Sequence, residues 1–228
     1  MGNLHNEQQG PNSFNMCSNL LIIGISGVTC GGKTTLAEAL KRIIPSALLI
    51  SQDSYFLDND DPRHVWISEL NHVNYDIITS LDMQQMYKDV CEITSKYNLI
   101  SDKIDIQTDQ ETYDNVEEKV CAKLSETNTK LLILEGFCIF NYKLLSDLCL
   151  LKFYFTLSKE ECYKRRIKRV YNPPDCPGYF EKCAWPEYLN LYQYVRDNIS
   201  DTIYFDGSLT SQISSTLNNI NDVLQQIF

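Results

Sequence analysis

Eight residues constrain this chain more than any others: Gly27-Val-Thr-Cys-Gly-Gly32-Lys33-Thr34 fits G-x-x-x-x-G-K-[ST] at every fixed position. At average composition such a match arises in about 1% of chains of this length. Its surroundings are those the chemistry needs, an apolar run at Leu20–Ser26 before it and a helical period at Thr34–Ile44 after it, ended by Pro45. The glycines let successive backbone N–H groups turn inward around phosphate oxygens, and the positive end of the following helix adds to their pull. On this reading Gly27, Val28, Thr29, Cys30, Gly31, Gly32, Lys33, Thr34 and Thr35 hold the phosphates of a nucleoside triphosphate. Lys33 reaches the β- and γ-phosphates, and the Thr34 hydroxyl ligates Mg2+. A glycine-rich turn that only reverses the chain is the plainer alternative.

The rest of the chain keeps the same rhythm. Ala47–Ile50, Lys130–Leu134, Leu151–Phe155 and Thr202–Phe205 read as further strands, and Lys159–Val170 as a helix. Thr79-x-x-Asp82 resembles a capping box ahead of the helical spacing Met83, Met86, Val90, Ile93. Leu209, Ile213, Leu217, Ile220, Leu224 and Ile227 give an amphipathic C-terminal helix. Apolar strands alternating with helices predict an α/β fold of the P-loop NTPase type, a parallel sheet flanked by helices on both faces. With 228 residues, one domain over 19–228 is expected, after a polar tail at 1–18 expected to be disordered. Two segments break the rhythm: the polar 57–74, and an acidic insertion at 101–129 with eight Asp/Glu against three Lys up to Thr127. Either suits a mobile loop.

Twenty Lys+Arg against thirty Asp+Glu leave a net charge of −10. General nucleic-acid binding and docking on anionic membranes both need a basic face, so neither partner is expected. No apolar run approaches the roughly 20 residues of a membrane span. The first residues lack a secretory core, and Asn6 stands where a myristoylation pattern wants Ser or Thr. Nine cysteines form no C-x-x-C pair and several sit in apolar stretches, which suits inert thiols in a reducing, cytoplasmic setting. The three histidines share no ligand spacing with a cysteine, so no zinc site is expected.

The acceptor of the phosphate is the next question. Guanine-binding N-K-x-D is absent from the sequence. Small-molecule kinases on this fold place an acid just after the second strand, which here is Ser51-Gln52-Asp53-Ser54-Tyr55-Phe56. A carboxylate at Asp53 can take the acceptor proton and help hold Mg2+; an ordinary turn acid is the alternative. Glu135 closes the apolar run Leu-Leu-Ile-Leu and suits a second acid below the metal, acting through water, or a solvated strand end. Lys164-Arg165-Arg166-Ile167-Lys168-Arg169 packs five of the twenty basic residues into six positions. On one helix Arg165 and Arg169 share a face and could close over phosphates as a lid. A solvated charge run or an RNA patch would use the same residues.

Together these residues resemble a known pattern. Gly24-Ile-Ser-Gly-Val-Thr-Cys-Gly-Gly-Lys-Thr-Thr35, Ser51-Gln-Asp53, Asn74-Tyr75-Asp76, Leu134-Glu135-Gly136-Phe137 and Arg169-Val-Tyr171-Asn-Pro-Pro-Asp175-Cys-Pro-Gly-Tyr-Phe180 occur in order. The chain resembles the eukaryotic nicotinamide riboside kinases, within the uridine kinase-like P-loop kinases, from about Leu20 to Ser211. The last block is the one specific to that family. The resemblance implies ATP-dependent phosphorylation of the 5′-hydroxyl of nicotinamide riboside, with nicotinic acid riboside as a further substrate, in NAD synthesis. It implies Asp53 as general base, with Lys33 and Glu135 as its catalytic companions, and Thr34 and Asp53 on Mg2+. Tyr75 and Tyr171 would sandwich the pyridine ring, and Asp76 and Arg166 would bind the ribose. Ser54, Tyr55, Phe56, Asn172 and Asp175 would complete the acceptor site. Arg165 and Arg169 would contact ATP from a lid and substrate loop at about 164–180, and Leu209, Thr210 and Ser211 would lie near adenine. The position of Cys30 varies in the family and carries no catalytic role. A pyridinium cation suits tyrosine faces and nearby carboxylates, which a neutral uridine would leave unmatched. A monomer is expected. The 57–74 segment matches the family poorly and the acidic insertion is long for it. A uridine/cytidine kinase and a non-catalytic nucleotide-binding module remain the alternatives.

Overall fold

The computed structural model describes residues 18–101, 115–210 and 212–228. The tail at 1–17, the first part of the acidic insertion and Ser211 lie outside the described residues. Along the chain the strands are β1 (Asn19–Gly27), β2 (Leu48–Ser51), β3 (Trp66–Ile67), β4 (His72–Val73), β5 (Asn98–Leu99), β6 (Thr129–Glu135), β7 (Leu151–Thr156) and β8 (Thr202–Asp206). The helices are α1 (Lys33–Ile43), α2 (Met83–Thr94), α3 (Val116–Glu126), α4 (Lys143–Ser146), α5 (Lys159–Arg166), α6 (Trp185–Asn198) and α7 (Gln212–Ile227). The main sheet is parallel, in the order β2-β6-β1-β7-β8, with β5 beside the start of β1. β3 and β4 form a separate antiparallel hairpin.

Alternation along β1 explains why its run is apolar throughout. Leu20 and Ile22 face one layer with Leu132, Leu134 and Tyr154, under α2 and α6. Leu21, Ile23 and Ile25 face the other with Leu131, Ile133 and Phe153, under α1, α3 and α7. Each of these side chains is fully buried, and such burial contributes roughly 1.5–3 kcal/mol per large apolar residue. A strand covered on both faces has no solvent side on which to place polar residues.

Three local expectations change. The first turn of α2 is capped by Asp82 itself, whose carboxylate accepts from the Gln85 N–H at 2.9 Å; Thr79 stands one turn too early, inside a short 3-10 turn at Ile78–Ser80. The helix expected over Lys159–Val170 stops at Arg166. Beyond it the Lys168 and Arg169 amides bond three residues back rather than four, tightening the chain into a turn. Arg165 and Arg169 therefore do not share one helical face. The described end of the acidic insertion is helix α3, with Val116, Val120 and Leu124 buried in the core against α7. The 57–74 segment contains the β3–β4 hairpin. Among the described residues no helix is long and apolar enough to cross a membrane.

All the strand ends that matter for the site point the same way. Pairing sets Ile25 of β1 and Ser51 of β2 on either side of Glu135 of β6. The loops leaving these strands meet at the carboxyl edge of the sheet, where ligands bind in open α/β folds.

Candidate active site

The phosphate loop leaves β1 through Gly27, whose φ of 117° is left-handed; a Cβ there would lie 2.2 Å from the Phe155 carbonyl oxygen. Only glycine fits so close to β7. Gly32, at φ 105°, stands at the N-cap of α1 and offers no side-chain cap, so the first amides of the helix stay open to an anion. Lys33 is nearly buried, and its Nζ donates to the Val28 carbonyl at 2.8 Å across the loop. Burial pushes the Lys33 ammonium pKa down, while Glu135 and Asp53 push it up.

Glu135 is 4% exposed and held at both oxygens. Thr34 Oγ1 donates to Oε1 and Ser51 Oγ to Oε2, each at 3.1 Å. Asp53 contrasts with it. It sits exposed in a 3-10 turn at Gln52–Tyr55, and its carboxylate makes no side-chain hydrogen bond among the described residues. Its charge acts on both Lys33 and Arg169. Thr34, Asp53 and Glu135 are all hard oxygen donors. Mg2+ takes one or two carboxylates and completes its shell with phosphates and waters, so these residues fit that ion.

A cavity of about 510 Å3 opens between the phosphate loop and the 166–179 segment. Its floor holds Thr29, Lys33, Thr34, Asp53 and Glu135. The far wall is organised by Arg166, which is 5% exposed and bidentate to two carboxylates. It reaches Asp175 at 2.7 and 3.1 Å and Asp76 at 3.2 Å twice. Desolvation opposes its charge, but the two carboxylates more than offset this and hold the guanidinium protonated. Its plane lies 4.7 Å from the Tyr171 ring centroid and 5.5 Å from that of Tyr179. Arg169 lies 5.5 Å from the Tyr171 centroid and its Nη1 4.0 Å from Cys30 Sγ. The Tyr171 hydroxyl is 3.4 Å from Thr29 Oγ1, and burial pushes its pKa up to about 12. The side wall is aromatic: Phe56 stacks on Phe137 at 6.1 Å and meets the edge of Tyr75 at 6.3 Å. The Tyr75 hydroxyl donates to Asn59 Oδ1 at 3.0 Å, and the Tyr179 hydroxyl accepts the Tyr75 N–H at 2.9 Å.

The structure gathers Thr29, Lys33, Thr34, Asp53, Phe56, Tyr75, Asp76, Glu135, Arg166, Arg169, Tyr171, Asn172 and Asp175 around this one cavity. Other expected site residues lie elsewhere. Ser54 is exposed outside the lining, and Tyr55 turns to α2, donating to Asp89 Oδ2 at 2.8 Å. Arg165 braces the phosphate loop from outside: its Nη1 donates to the Cys30 and Gly207 carbonyls at 3.2 and 3.0 Å. The loop after β8 touches the phosphate loop at Gly31 and carries Leu209, exposed, and Thr210. Leu57, Asp58, Asn59, Phe137, Val170, Pro173 and Tyr179 line the cavity without having been assigned a role from sequence. Phe137, Val170, Pro173 and Tyr179 stood in the motif blocks; the 57–59 stretch carried no such signal.

A phosphate loop, an acid after the second strand and an acceptor-sized cavity beside both are the layout of a P-loop small-molecule kinase. The chain is 34% identical over 207 residues to nicotinamide riboside kinase 1 of Homo sapiens, covering 90% of this chain and 93% of that one. It is 34% identical over 187 residues to nicotinamide riboside kinase 2 of Homo sapiens, covering 82% and 74%. A uridine kinase of Borreliella burgdorferi matches at 30% over 149 residues, covering 65% and 66%. No family model matches. Among solved structures, a gluconokinase from Sinorhizobium meliloti aligns over 93% of this chain and 96% of its own at 12% identity and a TM-score of 0.41, which adds nothing to the assignment. The chain belongs to the nicotinamide riboside kinase family and is a phosphotransferase.

Proposed function

We propose that this protein transfers the γ-phosphate of ATP to the 5′-hydroxyl of nicotinamide riboside, and also of nicotinic acid riboside, to supply mononucleotide for NAD synthesis. The observation that carries this reading is the cavity itself: aromatic faces and an excess of carboxylates open directly onto Lys33 and Asp53. A pyridinium riboside brings a flat cation that both features attract.

In this reading Tyr75 and Tyr171 take the two faces of the pyridine ring, while Asp76 and Arg166 hold the ribose hydroxyls. The Arg166 fork is already fixed by two carboxylates, so little side-chain freedom is lost on binding. Asp53 accepts the 5′-hydroxyl proton; its carboxylate makes no side-chain hydrogen bond among the described residues that would compete for it. The backbone amides of the phosphate loop orient the triphosphate, and Lys33 offsets the charge that develops on the transferred group. Thr34 and Asp53, with Glu135 behind them, would hold Mg2+, which would offset negative charge on the triphosphate. Arg169 covers the cavity from the lid, and Arg165 sets the shape of the phosphate loop that receives ATP. Leu209 and Thr210 border the adenine. The protein acts as a monomer in the cytoplasm.

The uridine kinase relative favours one second reading, a pyrimidine nucleoside kinase. A coupled assay across nicotinamide riboside, nicotinic acid riboside, uridine and cytidine separates the two. The expected result is the highest kcat/KM with the pyridine ribosides; a preference of tenfold or more for uridine or cytidine overturns the proposal.

A further inference from the structure

Glu135 and Asp53 are placed by different means. Glu135 is tied by two hydroxyls, whereas Asp53 has no side-chain tether among the described residues and depends on the backbone beneath it. That backbone is the 3-10 turn at Gln52–Tyr55. Its far end is anchored on α2, where the Asp82 N–H donates to the Tyr55 carbonyl at 2.8 Å and the Tyr55 hydroxyl donates to Asp89. Its near end rests on Gln52.

Gln52 is wholly buried, an unusual place for an amide side chain. The β2–β6 ladder ends at Ser51 opposite Glu135. One step further on, Gln52 Oε1 accepts the Cys138 N–H at 3.1 Å and faces Cys138 Sγ at 3.6 Å. Its Nε2 reaches Met83 Sδ at 3.3 Å. The side chain thus replaces the next rung of the ladder and binds the turn carrying Asp53 to the segment that follows Glu135. Gly136 makes room for it: a Cβ there would lie 2.3 Å from both Gln52 Cβ and Oε1.

We propose that Gln52 is a positioning residue that sets the separation of Asp53 from Glu135, through its hydrogen bond to the Cys138 amide and its seat over Gly136. The inference rests on the reading of Asp53 as the base. A displacement of about 1 Å in reacting groups can cost on the order of 100-fold in rate, so a small shift of this turn is felt in kcat.

The test uses the full chain in steady-state assays with nicotinamide riboside and ATP, with thermal unfolding measured alongside. Gln52→Met keeps the volume and the Met83 contact but removes the acceptor; kcat should fall about 10- to 100-fold, with both KM values within about threefold of wild type. Gln52→Glu retains an acceptor oxygen and should recover part of the loss. Gly136→Ala should lower kcat in the wild-type background, yet cost less in Gln52→Ala, where Oε1 and Cδ are gone and only the Cβ remains to be struck. This last comparison decides the matter should Gln52→Met fold poorly. Wild-type kcat in Gln52→Met, a parallel rise in both KM values, or an equal Gly136→Ala penalty in both backgrounds overturns the proposal. Asp53→Ala separates the two layers: wild-type turnover there removes the base reading itself, while an inactive Asp53→Ala beside an unimpaired Gln52→Met removes only the role of Gln52.

Discussion

The two walls of the cavity are made from different materials. The phosphate wall is backbone: one loop, Gly27–Thr34, whose amides and glycine angles are set by its own eight residues and the strand and helix on either side, with Arg165 bracing it from outside. The acceptor wall is side chains: Phe56, Asn59, Tyr75, Asp76, Phe137, Arg166, Tyr171, Asp175 and Tyr179 arrive from well-separated stretches and hold one another in place. Backbone walls tolerate most side-chain exchange except at glycine and at the lysine. Side-chain walls fail one contact at a time, and each failure has a signature.

The sharpest contrast is at Asp53, where the walls meet. Asp53→Ala is expected to abolish turnover while ATP binding, measured by calorimetry, survives on the backbone wall; turnover at the wild-type rate would break the division. Next comes Arg166→Met, which strands Asp76 and Asp175 in a poorly solvated place. Removing one partner from a buried pair costs roughly 3–5 kcal/mol, so Tm should fall and riboside KM rise, with ATP KM nearly unchanged. Tyr75→Ala or Tyr171→Ala should each weaken nucleoside binding by ~1–3 kcal/mol, the range for base–aromatic stacking; unchanged KM in both would refute the ring stack. Arg165→Ala should show the opposite signature to the acceptor-wall variants. It frees the Cys30 and Gly207 carbonyls, so ATP KM should rise several-fold, about 1 kcal/mol for a lost charge-assisted pair of bonds, with riboside KM unaffected.

The smallest effect concerns the Asp61–Arg63 pair, which follows the 57–59 stretch of the acceptor wall in the chain. Arg63 holds the Asp61 carboxyl at about 2, below its ordinary value of 3.8, chiefly by a side-chain hydrogen bond. A carboxyl depressed in the fold stabilises above its unfolded pKa and loses that contribution as pH falls through the folded one. Wild-type protein should therefore lose slightly more Tm than Arg63→Ala between about pH 4 and pH 2. Arg63 is exposed and Asp61 only half-buried, so the difference stays small.

This division also explains what could be read from the sequence. The phosphate loop, Asp53 and Glu135 follow apolar runs directly, and burial on both faces of a parallel sheet writes those runs plainly into the chain. The end of α5 is different. Nothing in Lys164–Arg169 marks Arg166 as the last helical residue; what distinguishes it is the pair of carboxylates 90 positions before and 9 positions after it. Helix α3 was masked by its acidic surface, although Val116, Val120 and Leu124 carry a buried stripe at spacings of four. Asn59 is in the same position as Arg166: its place depends on Tyr75, which folding brings to it.

The pairing of Arg166 with two carboxylates has a kinetic consequence. Among the lining residues, five acids (Asp53, Asp58, Asp76, Glu135 and Asp175) face three basic groups (Lys33, Arg166 and Arg169), and Arg166 is spent on two of the five. The cavity is left with an excess of negative charge. A cationic nucleoside should be drawn inward by it, and a neutral nucleoside should not. Dissolved salt shortens the reach of that field to about 10 Å at 0.1 M. Capture of a pyridinium acceptor should thus slow as ionic strength rises, while capture of a neutral nucleoside proceeds at the same rate.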